Sequence, residues 1–182
     1  LKSKEQLKIN IKKKIIFSAP IISREGIGIF YPNTINVIQG KSGVHKSRLV
    51  ENIASGLLSS FSFLGFEARA NDSIVLYVDT ERNIKDQFPF ALQKIIEKAG
   101  GSVEEDLSNF DYLSLIEVPR PDRFRGLKEY LIKFREKSDK HLIIILDVIT
   151  DCIANFNDVN ESLKLIDLLN LMINNFNATF IC

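Results

Sequence analysis

The sequence has few of the residues that build metal centres or disulfide frameworks. It contains two cysteines, Cys152 and Cys182, and two histidines, His45 and His141. The cysteines lack metal-ligand spacing, and two separate histidines are too few for a zinc site. The thiols therefore read as reduced cysteines of a cytoplasmic protein. No apolar run approaches the roughly 18 residues of a membrane span, and no stretch has the layout of a signal peptide. A membrane partner is not expected. An excess of one charge is lacking too: 24 Lys and Arg face 23 Asp and Glu, a net charge of +1. No global field draws the chain to nucleic acid. Internal repeats and low-complexity tracts are absent as well.

What remains is an ordinary globular composition. The chain has 182 residues, 45% hydrophobic and 26% charged, which suits one domain with a real core. Charge is unevenly placed. Residues 1–14 hold six Lys and one Glu. We read residues 1–25 as a basic N-terminal arm packed on the domain edge, and residues 26–182 as the core. A solvated tail is the plain account of the arm, and contact with nucleic acid or a partner the alternative. The last residues, Ala178–Cys182, are an apolar strand-like run, so the core is expected to be incomplete and to continue beyond Cys182.

The most informative stretch runs from Thr34 to Leu58. Ile35, Val37 and Ile38 read as a buried strand within Thr34–Gln39. Gly40, Lys41, Ser42, Gly43, Val44, His45, Lys46 and Ser47 follow, and seven of these eight positions fit the phosphate-loop pattern G-x-x-x-x-G-K-[ST]. His45 stands where the pattern has Gly. Leu49, Val50, Ile53, Ala54, Leu57 and Leu58 then form one helical stripe. A strand, a Gly-containing loop and a helix start together make an anion site, because backbone N–H groups and the positive end of the helix dipole converge there. Residues 40–48, including Arg48, are the expected contacts for ATP. Lys46 would reach the β- and γ-phosphates, and Ser47 would ligate Mg2+. The bland alternative is a strand–helix turn with an incidental Lys-Ser.

Gly26–Phe30 and Thr34–Gln39 flank Tyr31-Pro32-Asn33 and suggest a hairpin. Ser73–Asp79 reads as a second buried strand, followed by a helix that Asp86 could cap and Gly100-Gly101 ends. Asp111–Val118 reads as a third strand, followed by a helix that Asp122 could cap. His141–Asp147 is the fourth and most hydrophobic strand. Glu161–Phe176 reads as a mostly buried helix, its polar stripe limited to Lys164, Asp167, Asn170 and Asn174. A fifth strand starts near Ala178. Alternating strands and helices, with continuously apolar strands, indicate an α/β fold whose mainly parallel sheet is covered on both faces.

Such sheets bind ligands at the C-terminal ends of their strands. Three candidates sit there: the phosphate loop after strand one, Glu81 after strand two, and Asp147 after strand four. Apolar residues followed by Asp suit a carboxylate that holds Mg2+ through water. Taken singly, Asp147 reads as a strand-end turn residue and Glu81 as a solvated helix-start carboxylate. In this order after a phosphate loop, they point to ATP binding.

The span from Gly26 to Cys182 resembles the RecA-like phosphate-loop ATPases, and among them the RepA-like hexameric helicases of plasmids and mobile elements. INVIQGKSGVHKS, IVLYVDTE, LIIILDVITD and the terminal ATFIC carry the likeness. The resemblance implies a sheet order of 1-5-4-2-3 and Walker A and Walker B motifs, the latter at Asp147. It makes Glu81 the general base that orients water. It also places Thr150 and Asp151 near the nucleotide and a DNA-contacting loop at 151–160. The function it implies is Mg-ATP hydrolysis coupled to single-stranded DNA, in a helicase-like motor or loader for mobile-element DNA replication that assembles as a homo-hexameric ring. Arg82, Arg120, Arg123 and Arg125 are available cations whose plain reading is surface charge. The competing expectation is an ATP-binding regulatory or assembly module that turns over little because His45 replaces the loop glycine. A small-molecule kinase fits less well, since no Arg-rich lid is evident.

Overall fold

A computed structural model of the chain describes residues 2–41, 43–70, 72–153, 155 and 157–182. Ser42, expected among the phosphate contacts, lies outside the described residues. Five strands form the central sheet: β3 (Ile35–Asn36), β5 (Ser73–Asp79), β6 (Phe110–Ser114), β7 (His141–Asp147) and β8 (Ala178–Ile181). They are the five strands expected from the sequence, and every pairing between them is parallel. Their order is β3-β8-β7-β5-β6, which is 1-5-4-2-3 in chain order.

Strand periodicity divides the core into two layers, because successive side chains point to opposite faces. Leu76, Val78, Ile144, Leu146 and Phe180 face α4 (Arg123–Arg135) and α5 (Val159–Asn175). Val75, Tyr77, Ile143, Ile145 and Ile181 face α2 (Lys46–Ser59) and α3 (Gln87–Lys98). Strands β5 and β7 are covered on both sides, which accounts for their nearly unbroken apolar sequences. Asp79 and Asp147 share the parity of Tyr77 and Ile145. The two acids therefore emerge on the α2 face, beside the start of that helix.

Several local expectations are corrected. Gly26–Phe30 does not form a hairpin with the first strand. Instead β2 (Ile27–Phe30) pairs antiparallel with β1 (Ile22–Arg24), which also pairs with β4 (Glu67–Ala68). Tyr31-Pro32-Asn33 thus connects two sheets. The named first strand is short, although backbone pairing with β8 continues as far as Ile38, whose N–H donates to the Cys182 carbonyl at 2.7 Å. Val37 is 60% exposed, because β3 is an edge strand. The third strand ends at Ser114, before Val118.

Only the end of the 1–25 arm packs on the domain: residues 4–19 are exposed nearly throughout, most of α1 (Lys2–Asn10) among them, while residues 21–23 are buried and enter β1. Helix α5 buries only Leu165, Leu169, Met172 and Ile173 on its core face. Leu163, Ile166 and Leu171 are exposed, so the helix is not mostly buried. Its sequence is apolar on more than the face the sheet covers.

The capping chemistry also differs. Asp86 and Asp122 occupy N-cap positions but accept no capping hydrogen bond. Asn83 Oδ1 does this work at α3, accepting from Lys85 N at 3.1 Å and Asp86 N at 3.0 Å. Asp158 caps α5 through Asn160 N and Glu161 N. Among the described residues, no helix is long and apolar enough to cross a membrane.

Candidate functional site

The site forms where α2 begins against the carboxyl ends of β5 and β7. Its loop follows β3 and folds as a tight turn. Gly43 has φ +78°, and a Cβ on Gly40 would lie 2.9 Å from Val44 Cγ2. His45 precedes the helix with φ 59° and ψ 34°. That left-handed conformation suits glycine and costs other residues about 1–2 kcal/mol. His45, at the position where the pattern has Gly, thus adopts a backbone shape that glycine takes readily, and its side chain is exposed.

Lys46 bends back over the loop. Its Nζ donates to the carbonyls of Gly40 and Lys41, each at 2.8 Å. Among the described residues no carboxylate pairs with this ammonium, so its charge stays at the loop mouth. Ser47 is the next residue, on the first turn of α2. Its hydroxyl donates to Asp147 Oδ1 at 3.0 Å, across 100 residues of sequence. The first-turn serine of α2 and the aspartate that ends β7 are therefore in direct contact. Val44 and Arg48 are exposed at the mouth.

The other Asp147 oxygen is held from two sides. The Tyr77 hydroxyl donates to Oδ2 at 2.9 Å, and Arg82 Nη2 lies 3.2 Å away. Arg82 also pairs with Asp79 at 2.9 Å and with Glu51 of α2 at 2.9 Å. Asp79 is 1% exposed. Its Oδ1 accepts from the backbone N–H groups of Glu81 and Arg82, which sets the turn carrying both side chains. Thr80 is fully buried and donates through Oγ1 to the carbonyls of Asp147 and Val148, so the two strand ends are tied together.

Burial sets the electrostatics. It raises the pKa values of Glu51 and Asp79 from their ordinary values, against the opposing pull of Arg82. Burial likewise holds the Tyr77 hydroxyl protonated, well above its ordinary value. Burial works against the charge of Arg82, but Tyr77, Asp147 and Asp79 outweigh it and keep the guanidinium protonated. Glu81 is also shifted upward, first by partial desolvation and then by Asp151, Asp147 and Asp79. Its carboxylate makes no ion pair among the described residues, and it opens on a cavity of about 520 Å³ between α2 and α3, shared with Ser47, Arg48, Glu51, Arg82 and Phe90. A carboxylate that is raised in pKa and left unpaired is suited to accept a proton from water.

The sequence named Lys46, Ser47, Glu81 and Asp147, and the fold brings Ser47, Glu81 and Asp147 to one place with Lys46 one residue from Ser47. It did not name Tyr77, Asp79, Glu51 or Arg82 as site residues. A hydroxyl within an otherwise apolar strand, at the same parity as Asp79, is the signal that could have drawn attention to Tyr77. Arg82 is not surface charge, and neither is Arg123, which is 5% exposed. Arg123 donates to the carbonyls of Val118, Asp151 and Ile116. Arg120 pairs with the Asp151 carboxylate at 3.0 Å. Thr150 and Asp151 lie in a short 3-10 turn, Ile149–Cys152, directly after β7. Cys152 and Cys182 are free and buried, and burial pushes both thiols up to about 12.

The donor set fits magnesium and a polyphosphate. Ser47 and Asp147 are the residues that would hold such an ion, and a hydroxyl with one carboxylate would leave the remaining positions to water and phosphate oxygens, as Mg2+ prefers. No group of three or more His, Cys, Asp or Glu arranged to hold a metal occurs among the described residues. No family model and no curated protein matches this chain.

Proposed function

We propose that this chain binds Mg-ATP at the Gly40–Arg48 loop and hydrolyses it, as the ATPase core of a RecA-like motor acting on single-stranded DNA. The observation that carries the reading is the 3.0 Å contact between Ser47 Oγ and Asp147 Oδ1, beside a Lys46 ammonium that meets only loop carbonyls among the described residues. The strand order and the position of Glu81 at the end of β5 support it.

In this reading Lys46 and the start of α2 neutralise charge on the β- and γ-phosphates. Ser47 and Asp147 hold Mg2+, which when bound withdraws charge from the transferring phosphoryl group. Glu81 orients a water and takes its proton during in-line attack. The helicase-like role, the hexameric ring, the mobile-element setting and the cytoplasmic location rest on the family resemblance. The alternative, a nucleotide-binding module with little turnover, draws on the left-handed backbone of His45, a strained residue at the phosphate loop.

Fluorescent-nucleotide binding and phosphate release, each with and without single-stranded DNA, test the proposal. Lys46→Ala should lose nucleotide binding. Glu81→Gln should keep binding and lose turnover. Wild-type turnover in Glu81→Gln removes Glu81 from the mechanism. Tight binding with negligible turnover, unchanged by DNA, selects the regulatory module.

A further inference from the structure

Asp147 contributes two oxygens, and the structure treats them differently. Among the described residues Oδ1 meets Ser47, at 3.0 Å. Oδ2 is saturated by the Tyr77 hydroxyl at 2.9 Å and by Arg82 at 3.2 Å. Tyr77 is fully buried in the middle of β5, where its ring packs on Phe88 of α3. Arg82 is held in turn by Asp79 and Glu51, each at 2.9 Å, so its guanidinium links β5, β7 and α2. Asp79 and Asp147 are register partners on adjacent strands, and two carboxylates so placed repel unless a cation stands between them.

We propose that Tyr77 and Arg82 are positioning residues that lock the rotation of the Asp147 carboxylate, so that Oδ1 alone faces Ser47 and the metal position. The inference rests on the reading that Ser47 and Asp147 organise Mg2+. The physical need is specific. A carboxylate turns about its last bond at little cost, and a metal bound through water requires its acceptor at a fixed direction. Outer partners of this kind commonly change metal affinity by about 10- to 100-fold when removed. Arg82 has a second effect through the same contacts. Its own backbone N–H and that of Glu81 bond to Asp79, so the clamp also sets the turn that carries Glu81.

Two measurements test this. The first is the Mg2+ concentration that half-saturates binding of a fluorescent ATP analogue, compared with binding in EDTA. Tyr77→Phe removes one oxygen from the clamp and should raise the Mg2+ midpoint roughly 10-fold while leaving metal-free binding unchanged. Arg82→Gln should do the same, and Arg82→Lys should recover part of the loss. An unchanged midpoint in both Tyr77→Phe and Arg82→Gln overturns the proposal. Equal losses with and without metal also overturn it, since they indicate a structural role only.

The second measurement needs no nucleotide. It is a double-mutant cycle on urea stability with Arg82→Gln, Asp147→Asn and the pair. Coupling predicts that the double variant is no less stable than Arg82→Gln alone, because removing the unpaired charge compensates for the missing cation. Additive losses overturn the proposal. If the wild type binds no nucleotide with or without Mg2+, the ATPase reading has failed, and the cycle alone decides whether the clamp exists.

Discussion

Asp79 and Asp147 stand side by side as register partners on β5 and β7 and share the guanidinium of Arg82, at 2.9 and 3.2 Å. Parallel pairing without offset makes this inevitable once both seven-residue strands end in Asp. The arrangement concentrates negative charge at the sheet end, and it makes one arginine necessary to hold it together.

Asp79→Ala should therefore be strongly destabilising, by about 2–4 kcal/mol. It removes the acceptor for two backbone N–H groups and leaves Arg82 short of one partner in a mostly buried site. Urea denaturation of wild type and variant measures the difference. A loss below about 0.5 kcal/mol would show that the turn holds without this carboxylate.

Arg123 and Arg125 sit two residues apart and should behave oppositely. Arg123→Ala leaves three loop carbonyls without their donor and should cost roughly 2–4 kcal/mol. Arg125 is exposed and pairs only with Asp122 and Glu129. Arg125→Ala should change stability by no more than about 0.5 kcal/mol. The same denaturation experiment checks both, and equal effects would contradict the assignment.

His45→Gly should stabilise the fold by about 0.5–1 kcal/mol. Relief of the left-handed strain exceeds the added freedom of glycine in the unfolded chain. Thermal melts read the effect on stability. Tighter nucleotide binding in the same variant would favour the active motor over the low-turnover module.

His141 supplies a pH dependence. Burial lowers its pKa in the folded state. The ring contacts Asn177 Oδ1 at 3.1 Å and Thr179 Oγ1 at 2.8 Å. The unfolded chain therefore binds the proton first, and stability rises with pH in the window between the folded pKa and the ordinary histidine value near 6.5. This contribution is complete above that value and is lost as pH falls from it through the folded pKa. The Tm difference between wild type and His141→Gln should shift against the wild type on acidification from pH 7.5. Parallel Tm–pH curves would contradict the prediction.

The readable parts of the chain were those governed by short-range pattern. The apolar runs Ser73–Asp79 and His141–Asp147 marked buried strands to the residue, because a strand covered on both faces needs side chains of one kind throughout. Helix α2 announced itself by its 3.6-residue stripe. Helix α5 was misread for a related reason: periodicity shows where apolar residues lie, but not how wide a face the neighbouring sheet can cover. Leu165 and Leu169 meet that sheet, while Leu163 and Ile166 do not. Asn83 rather than Asp86 accepts the bonds at the start of α3, a choice made by loop geometry rather than by residue type.

By itself the sequence determined the five strands of the central sheet and the helices that follow four of them, and that Lys46, Ser47, Glu81 and Asp147 lie at strand or helix ends. Those properties follow from side-chain periodicity and local backbone chemistry, which act over a few residues. Only the tertiary structure decided that Tyr77 and Arg82 hold one oxygen of Asp147 while Ser47 takes the other, and that β1, β2 and β4 form a separate small sheet. These contacts join segments tens of residues apart. They depend on register and strand order, which no local pattern encodes.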